Sequence, residues 1–315
     1  MQDPVQNRIE MPRPSLSAAS AFVLLATAGL WLSALAIGLM GTGVPAPWAL
    51  ENALYYLPFL ALPLGLYMRR RPGIAEAMRL GPLPVMSVVT LVVLGLVSVF
   101  LASALAAAWG ALLDALGLRS VGDLAAAQSE RELALSILTM AALPAVCEEL
   151  LFRGFVLSAW ESRGTAFAIG VSAVLFALIH GNLYGLPVYL LVGGIAGFVT
   201  FATGSVYAGM VYHTVYNAAC LVIPYLMAGR EAEAAEAAGA VGSVGMAISL
   251  ALEFTMLGSL TALMLVTLRL RGRNRLGIEP IPRVRRPLTA RERLWLAAAV
   301  LAMAASMVVI LFLSA

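Results

Sequence analysis

The chain has 315 residues, 61% of them hydrophobic and only 12% charged, and its mean hydropathy is +0.92. A soluble globular domain carries about 25% charged residues, so this composition excludes a water-soluble fold and describes a polytopic membrane protein. The formal net charge is +3 and every basic residue is arginine. The basic segments lack the aromatic interleaving of a nucleic-acid surface, which leaves no nucleic-acid partner to expect.

In chain order, residues 1–16 are polar and mixed in charge. The apolar run at 17–40 is too long for a signal-peptide core and lacks a small-residue cleavage site, so it reads as a retained anchor. Further apolar segments of about 20 residues follow at 49–68, 85–110, 133–158, 164–180, 186–203, 205–227, 244–268 and 294–314. Those at 164–180 and 186–203 are short, glycine-rich and separated only by the turn Gly181-Asn182-Leu183-Tyr184-Gly185. The expected fold is all-α, a transmembrane bundle of eight or nine helices. Its organisation reads as N-terminal helices and loops over 1–132, a four-helix core over 133–228, and C-terminal helices with a basic loop over 229–315.

Arginine placement gives the orientation. Arg69, Arg70, Arg71 and Arg79 follow the second segment, and nine arginines from Arg269 to Arg293 lie between the last two. By the positive-inside rule both loops are cytoplasmic, and the even number of segments between them agrees. The opposite loops carry Arg119, Arg131 and Arg230 among seven acidic residues. A multi-pass protein of a bacterial inner membrane with a cytoplasmic N-terminus is expected, and the basic loop suits contact with anionic membrane lipid. Cys147 and Cys220 fall within segments and read as buried small hydrophobes, not as a disulfide or CxxC pair.

Ionisable groups inside such segments cost several kcal/mol, roughly 3 on insertion scales, and persist where they face a polar cavity. Three blocks carry them. In Cys147-Glu148-Glu149-Leu150-Leu151-Phe152-Arg153, Glu149 and Arg153 share a helical face and pair, while Glu148 points about 100° away. Glu148 is then the unpaired carboxylate, suited to general-base work; the plainer reading is a three-residue ion cluster. His180 closes the apolar run Phe176-Ala177-Leu178-Ile179 and could merely cap carbonyls. His213 and Asn217 share another face, where they can hold a metal, orient water or donate to an oxyanion. Tyr212 and Tyr216 form a parallel packing or cavity-lining stripe. Glu253, in the eighth segment, has no evident partner. HExxH and GxSxG signatures are absent.

Together the blocks Glu148-Glu149-xxx-Arg153, Phe176-xxx-His180 and His213-xxx-Asn217 resemble the three motifs of the CAAX protease and bacteriocin-processing (ABI) family of intramembrane proteases. The resemblance covers about residues 133–225 and uses both histidines of the chain. It implies a catalytic cavity within the membrane, with Glu148 and His180 activating water, His213 and Asn217 holding the oxyanion, and Glu149, Arg153 and Phe176 in support. The implied substrate is a hydrophobic or membrane-anchored peptide. Glu148, His180 and His213 have the residue types of three zinc ligands with an open fourth position, and ligand type leans toward zinc-linked hydrolysis over a metal-free one. A non-catalytic immunity or scaffold protein is the competing expectation. A transporter fits less well, since two matching halves with broken helices are not seen.

Overall fold

A computed structural model of the protein describes residues 13–40, 47–71, 73–83, 85–118, 127–230, 245, 248–249, 251–269 and 286–314. Among the described residues the regular structure is helical, without strands. Helix α1 is Leu16–Met40. Helix α2 covers 47–69 and includes a π-helical stretch at Leu57–Ala61. A short α3, Ile74–Ala77, precedes α4, Val85–Ala115. Then come α5, Glu130–Arg163, α6, Thr165–Ile179, α7, Leu186–Thr203, and α8, Val206–Met227. Ala251–Arg269 is α9 and Ala290–Ser314 is α10.

Seven of these are long and apolar enough to cross a membrane. The two further segments read from the sequence are α2, interrupted by its π-helical stretch, and α6, which has 15 residues. Helix α5 is longer than the apolar pattern indicates. Its N-terminus extends to Glu130 because Ser129 Oγ accepts from Glu132 N at 3.2 Å, while Glu132 Oε2 accepts from Gln128 N at 2.9 Å, a variant of the capping box that apolar periodicity does not register. The expected start of the eighth segment, at 244, lies outside the described residues, as does most of the basic loop.

Two apolar cores hold the bundle. One joins α1, α2, α5, α6 and α10, around Phe152, Phe155 and Phe176. The other joins α4, α7, α8 and α9, around Leu91, Leu94 and Tyr212. Large side chains such as Leu39, Val85 and Leu301 point outward, the arrangement of a bundle solvated by lipid.

At one end of the bundle, charged residues from distant loops meet. Arg79, 7% exposed, donates to Glu161 Oε1 at 2.6 Å and to Ser158 Oγ at 3.3 Å. Arg13 lies 3.6 Å from Glu161 Oε2. The Arg79 carbonyl accepts from Val206 N at 2.9 Å, and Gly81 O accepts from Ser205 Oγ at 2.8 Å. Thus the α3–α4, α5–α6 and α7–α8 connections are tied together. Arg79 has φ 58°, a left-handed conformation that costs a non-glycine residue roughly 1–2 kcal/mol and persists where surrounding contacts enforce it. Replacing Arg79 by Ala should strip the buried Glu161 of its nearest cation. The expected loss is near the lower end of ~3–5 kcal/mol, because Arg13 remains, and thermal unfolding in detergent measures it.

Candidate active site

The site is built on an irregular stretch of α5. Pro144 cannot donate a backbone N–H to the preceding turn, and the helix widens into π geometry at Ile137–Ala142 and again at Leu150–Val156, a distortion frequent at functional positions. Glu148 and Glu149 end the α-helical stretch Leu143–Glu149 between them. Met140 O, in the turn before Pro144, accepts from Asn217 Nδ2 at 3.4 Å. The α8 amide is thereby anchored on α5.

Glu149 and Arg153 are both 0% exposed. Arg153 Nη1 donates to Glu149 Oε1 at 2.9 Å and Nη2 to Gly193 O, on α7, at 2.9 Å. Its guanidinium lies 4.3 Å from the centre of the Phe176 ring on α6, a cation–π contact. The pairing read from their spacing is present, and it reaches further than expected. His213 Nδ1 lies 3.0 Å from the same Glu149 Oε1. Since a carboxylate oxygen only accepts, Nδ1 carries the proton and Nε2 is left for other work.

His180 is oriented the same way. Its Nδ1 donates to Phe176 O at 2.7 Å, and its ring stacks on Tyr189 with centroids 4.0 Å apart. Capping of a carbonyl, the plainer reading of this histidine, is thus present and also fixes which nitrogen is free. Gly181, with φ 61°, turns the chain directly behind it. Both imidazoles meet the Phe176 ring edge-on, at 4.8 Å and 5.6 Å, so one aromatic side chain spaces the two histidines and covers the arginine.

Glu148 faces the other way from Glu149. It accepts a short hydrogen bond from Tyr56 Oη, on α2, and has no ion pair among the described residues. A cavity of about 500 Å³ is lined by Glu148, His180, His213, Asn217, Phe176 and Tyr56, among others. Of the expected site residues, five therefore share one cavity; Glu149 and Arg153 stand behind its wall. Tyr56 was not anticipated. It lies in an apolar segment 92 residues before Glu148, outside the three blocks, and no local pattern marks it.

Tyr216 lines the cavity and Tyr212 is fully buried behind it. Cys220 corrects an expectation: it is exposed and borders the cavity, whereas Cys147 is buried as read. Glu253 is half-buried on α9 without a partner among the described residues. Among the described residues no group of three or more His, Cys, Asp or Glu side chains is placed to hold a metal ion. Glu148, His180 and His213 nevertheless line one cavity, and each histidine commits Nδ1 to an acceptor, Phe176 O or Glu149 Oε1, which leaves Nε2 open to it.

Gly209, one turn before His213, approaches Glu149 closely. A Cβ there would collide with Glu149 Oε2 and stand 2.8 Å from Thr200 Oγ1. Glycine is thus the residue that lets α8 reach the carboxylate.

Residues 130–219 match the family model described as Rce1-like type II CAAX prenyl endopeptidase. No curated protein and no solved structure matches the chain. The matched residues run from the first turn of α5 into α8 and contain all three blocks.

The two glutamates differ in what their loss should do. Arg153→Ala leaves Glu149 buried with only His213 beside it, an expected cost of ~3–5 kcal/mol. Glu148→Gln keeps the volume and removes a charge without an ionic partner, so stability should hold or rise. Thermal-shift measurements on both variants compare them; equal destabilisation would place Glu148 in the structural cluster.

Proposed function

Taking residues 130–219 as a CAAX protease family core, we propose that the chain is an intramembrane endopeptidase, hydrolysing a peptide bond in a membrane-associated protein or peptide. The observation that carries this reading is the single cavity in which Glu148, His180, His213 and Asn217 converge from three helices.

In the mechanism, a water bound between Glu148 and His180 is the nucleophile. Glu148 takes one of its protons while His180 Nε2 accepts a hydrogen bond from it, and the hydroxide oxygen bonds to the scissile carbonyl carbon. Charge moves to the carbonyl oxygen. His213, held at Nδ1 by Glu149, and Asn217, through its neutral Nδ2 donor, hold that oxyanion. Collapse breaks the C–N bond, and the proton on Glu148 passes to the leaving amine. Tyr56 holds the Glu148 carboxylate in place. Arg153 holds the Glu149 carboxylate in place, so its effect on chemistry runs through His213.

Glu148→Gln should stop cleavage while the protein remains folded, a loss of at least the ~10²–10⁴-fold that general-base catalysis supplies. Tyr56→Phe should slow it by about 10- to 100-fold, the worth of a hydrogen bond to a charged group. Quantitative comparison of membrane-protein termini in cells making each variant reads both. If Glu148→Gln, His180→Ala and His213→Ala all retain full function in cells, the non-catalytic scaffold reading replaces this one.

Metal dependence separates two forms of the reaction. With the donors placed as described, cleavage should survive exhaustive chelation, and elemental analysis should find substoichiometric zinc. Stoichiometric zinc with chelator-sensitive, zinc-restorable cleavage would instead establish Glu148, His180 and His213 as ligands that rearrange around the ion.

A further inference from the structure

The cavity is not centred in the bundle. Helices α2, α6 and α7 line it from one end: α2 through Asn52 and Tyr56 near its start, α6 through Phe176 and His180 at its finish, and α7 through its first two turns to Val192. Helix α4 contributes Ala106, past its midpoint, and α8 contributes Asn217, Cys220 and Leu221 from its second half. Glu148 and His213 are the deepest functional groups, near the middle of α5 and α8. In this antiparallel bundle all these positions lie toward the same end, the one holding the Gly181–Gly185 turn.

The opposite end holds the arginines. Of the twelve described arginines apart from Arg153, ten lie at that end: Arg13, Arg69–Arg71, Arg79, Arg163, Arg269, Arg286, Arg291 and Arg293. Contacts tie them to one another's surroundings: Arg79 and Arg13 share Glu161, Arg13, Arg163 and Arg286 border one small cleft, and Arg269 lies over Phe201 near the end of α7. Only Arg131 and Arg230 are at the cavity's end, accompanied by Asp114, Glu130 and Glu132. Arginine bias of this size in short connections fixes which end stays in the cytoplasm.

We propose that the cavity opens to the extracytoplasmic face of the membrane and receives a polypeptide presented there, with an apolar anchor beside the scissile bond, in place of a C-terminus offered from the cytoplasm. The substrate class rests on the protease reading; the direction of entry does not. A chain entering from this face meets Asn52 and the α6–α7 turn first, then His180, and reaches Glu148 and His213 at the floor. Substrates would be exported or anchored polypeptides already translocated across the bilayer.

Cys220 is the native probe, since it borders the cavity and the other cysteine, Cys147, is buried. Full-length protein in sealed membrane vesicles of either orientation is treated with a charged, membrane-impermeant methanethiosulfonate. Two reporters are added in a Cys220→Ser background: Asn52→Cys at the cavity's outer end and Arg70→Cys at the arginine-rich end. Cys220 and Asn52→Cys should be labelled in right-side-out vesicles and spared in inverted ones, with Arg70→Cys showing the reverse. Labelling of the cavity positions from the same side as Arg70→Cys overturns the proposal, as does equal labelling from both sides or labelling of neither cavity position. Because the readout needs no cleavage, it can fail while Glu148→Gln still abolishes proteolysis, and the reverse also holds.

Discussion

One carboxylate oxygen, Glu149 Oε1, binds both the Arg153 guanidinium and the His213 imidazole at about hydrogen-bond length in a fully buried position. In a medium where an uncompensated charge is so costly, this arrangement constrains everything around it. The guanidinium must spend its second arm, and it does so on the Gly193 carbonyl of α7. Its face must be covered, and Phe176 of α6 covers it. The imidazole must come from α8. Four helices are therefore held in register by one ion pair, and the same register places His180, Asn217 and Glu148 around the cavity. On the protease reading, structural and chemical roles cannot be separated at Glu149, whereas Glu148, on the adjacent position, is free of the ion cluster.

The three blocks were legible because hydrocarbon makes charge rare: with so few ionisable groups inside the spans, each one carries information. The i, i+4 spacing of Glu149 and Arg153 gave their pairing, and the same spacing put His213 and Asn217 on one face of α8. What remained hidden depends on contacts between helices. Tyr56 reaches Glu148 from α2, and no local pattern distinguishes a cavity tyrosine from a packing one. That His213 would turn to Glu149 and not to Glu148 follows from the relative rotation of α5 and α8, set in part by Pro144 and by the two π-helical stretches. Periodicity at 3.6 residues per turn cannot register either. The zinc reading has a related limit, since ligand types say nothing about how their donor atoms converge. Cys220 shows the same limit in miniature: its apolar neighbours in sequence are the same whether it faces core, lipid or cavity.

Irregular backbone and cavity-lining residues coincide along α5. An uninterrupted α-helix would rotate each residue by a fixed 100°. The proline and the wide turns break that regularity on both sides of Glu148–Glu149, and two consecutive acids serve different neighbours. Distortion that lines a protein cavity is tolerable inside a bilayer because polar partners are at hand.

The length of α6 has a consequence for the lipid itself. Fifteen residues rise only about 22 Å, well short of a hydrocarbon layer about 30 Å thick, while the neighbouring α5 is more than twice as long. A bilayer meeting such a short helix accommodates it by thinning. Thinning would draw the headgroup boundary in beside the end of α6, where His180 sits, and shorten the path that water travels to the cavity. On the protease reading, hydrolysis inside a hydrocarbon layer needs a supply of water, and hydrophobic mismatch of this kind would provide part of the route.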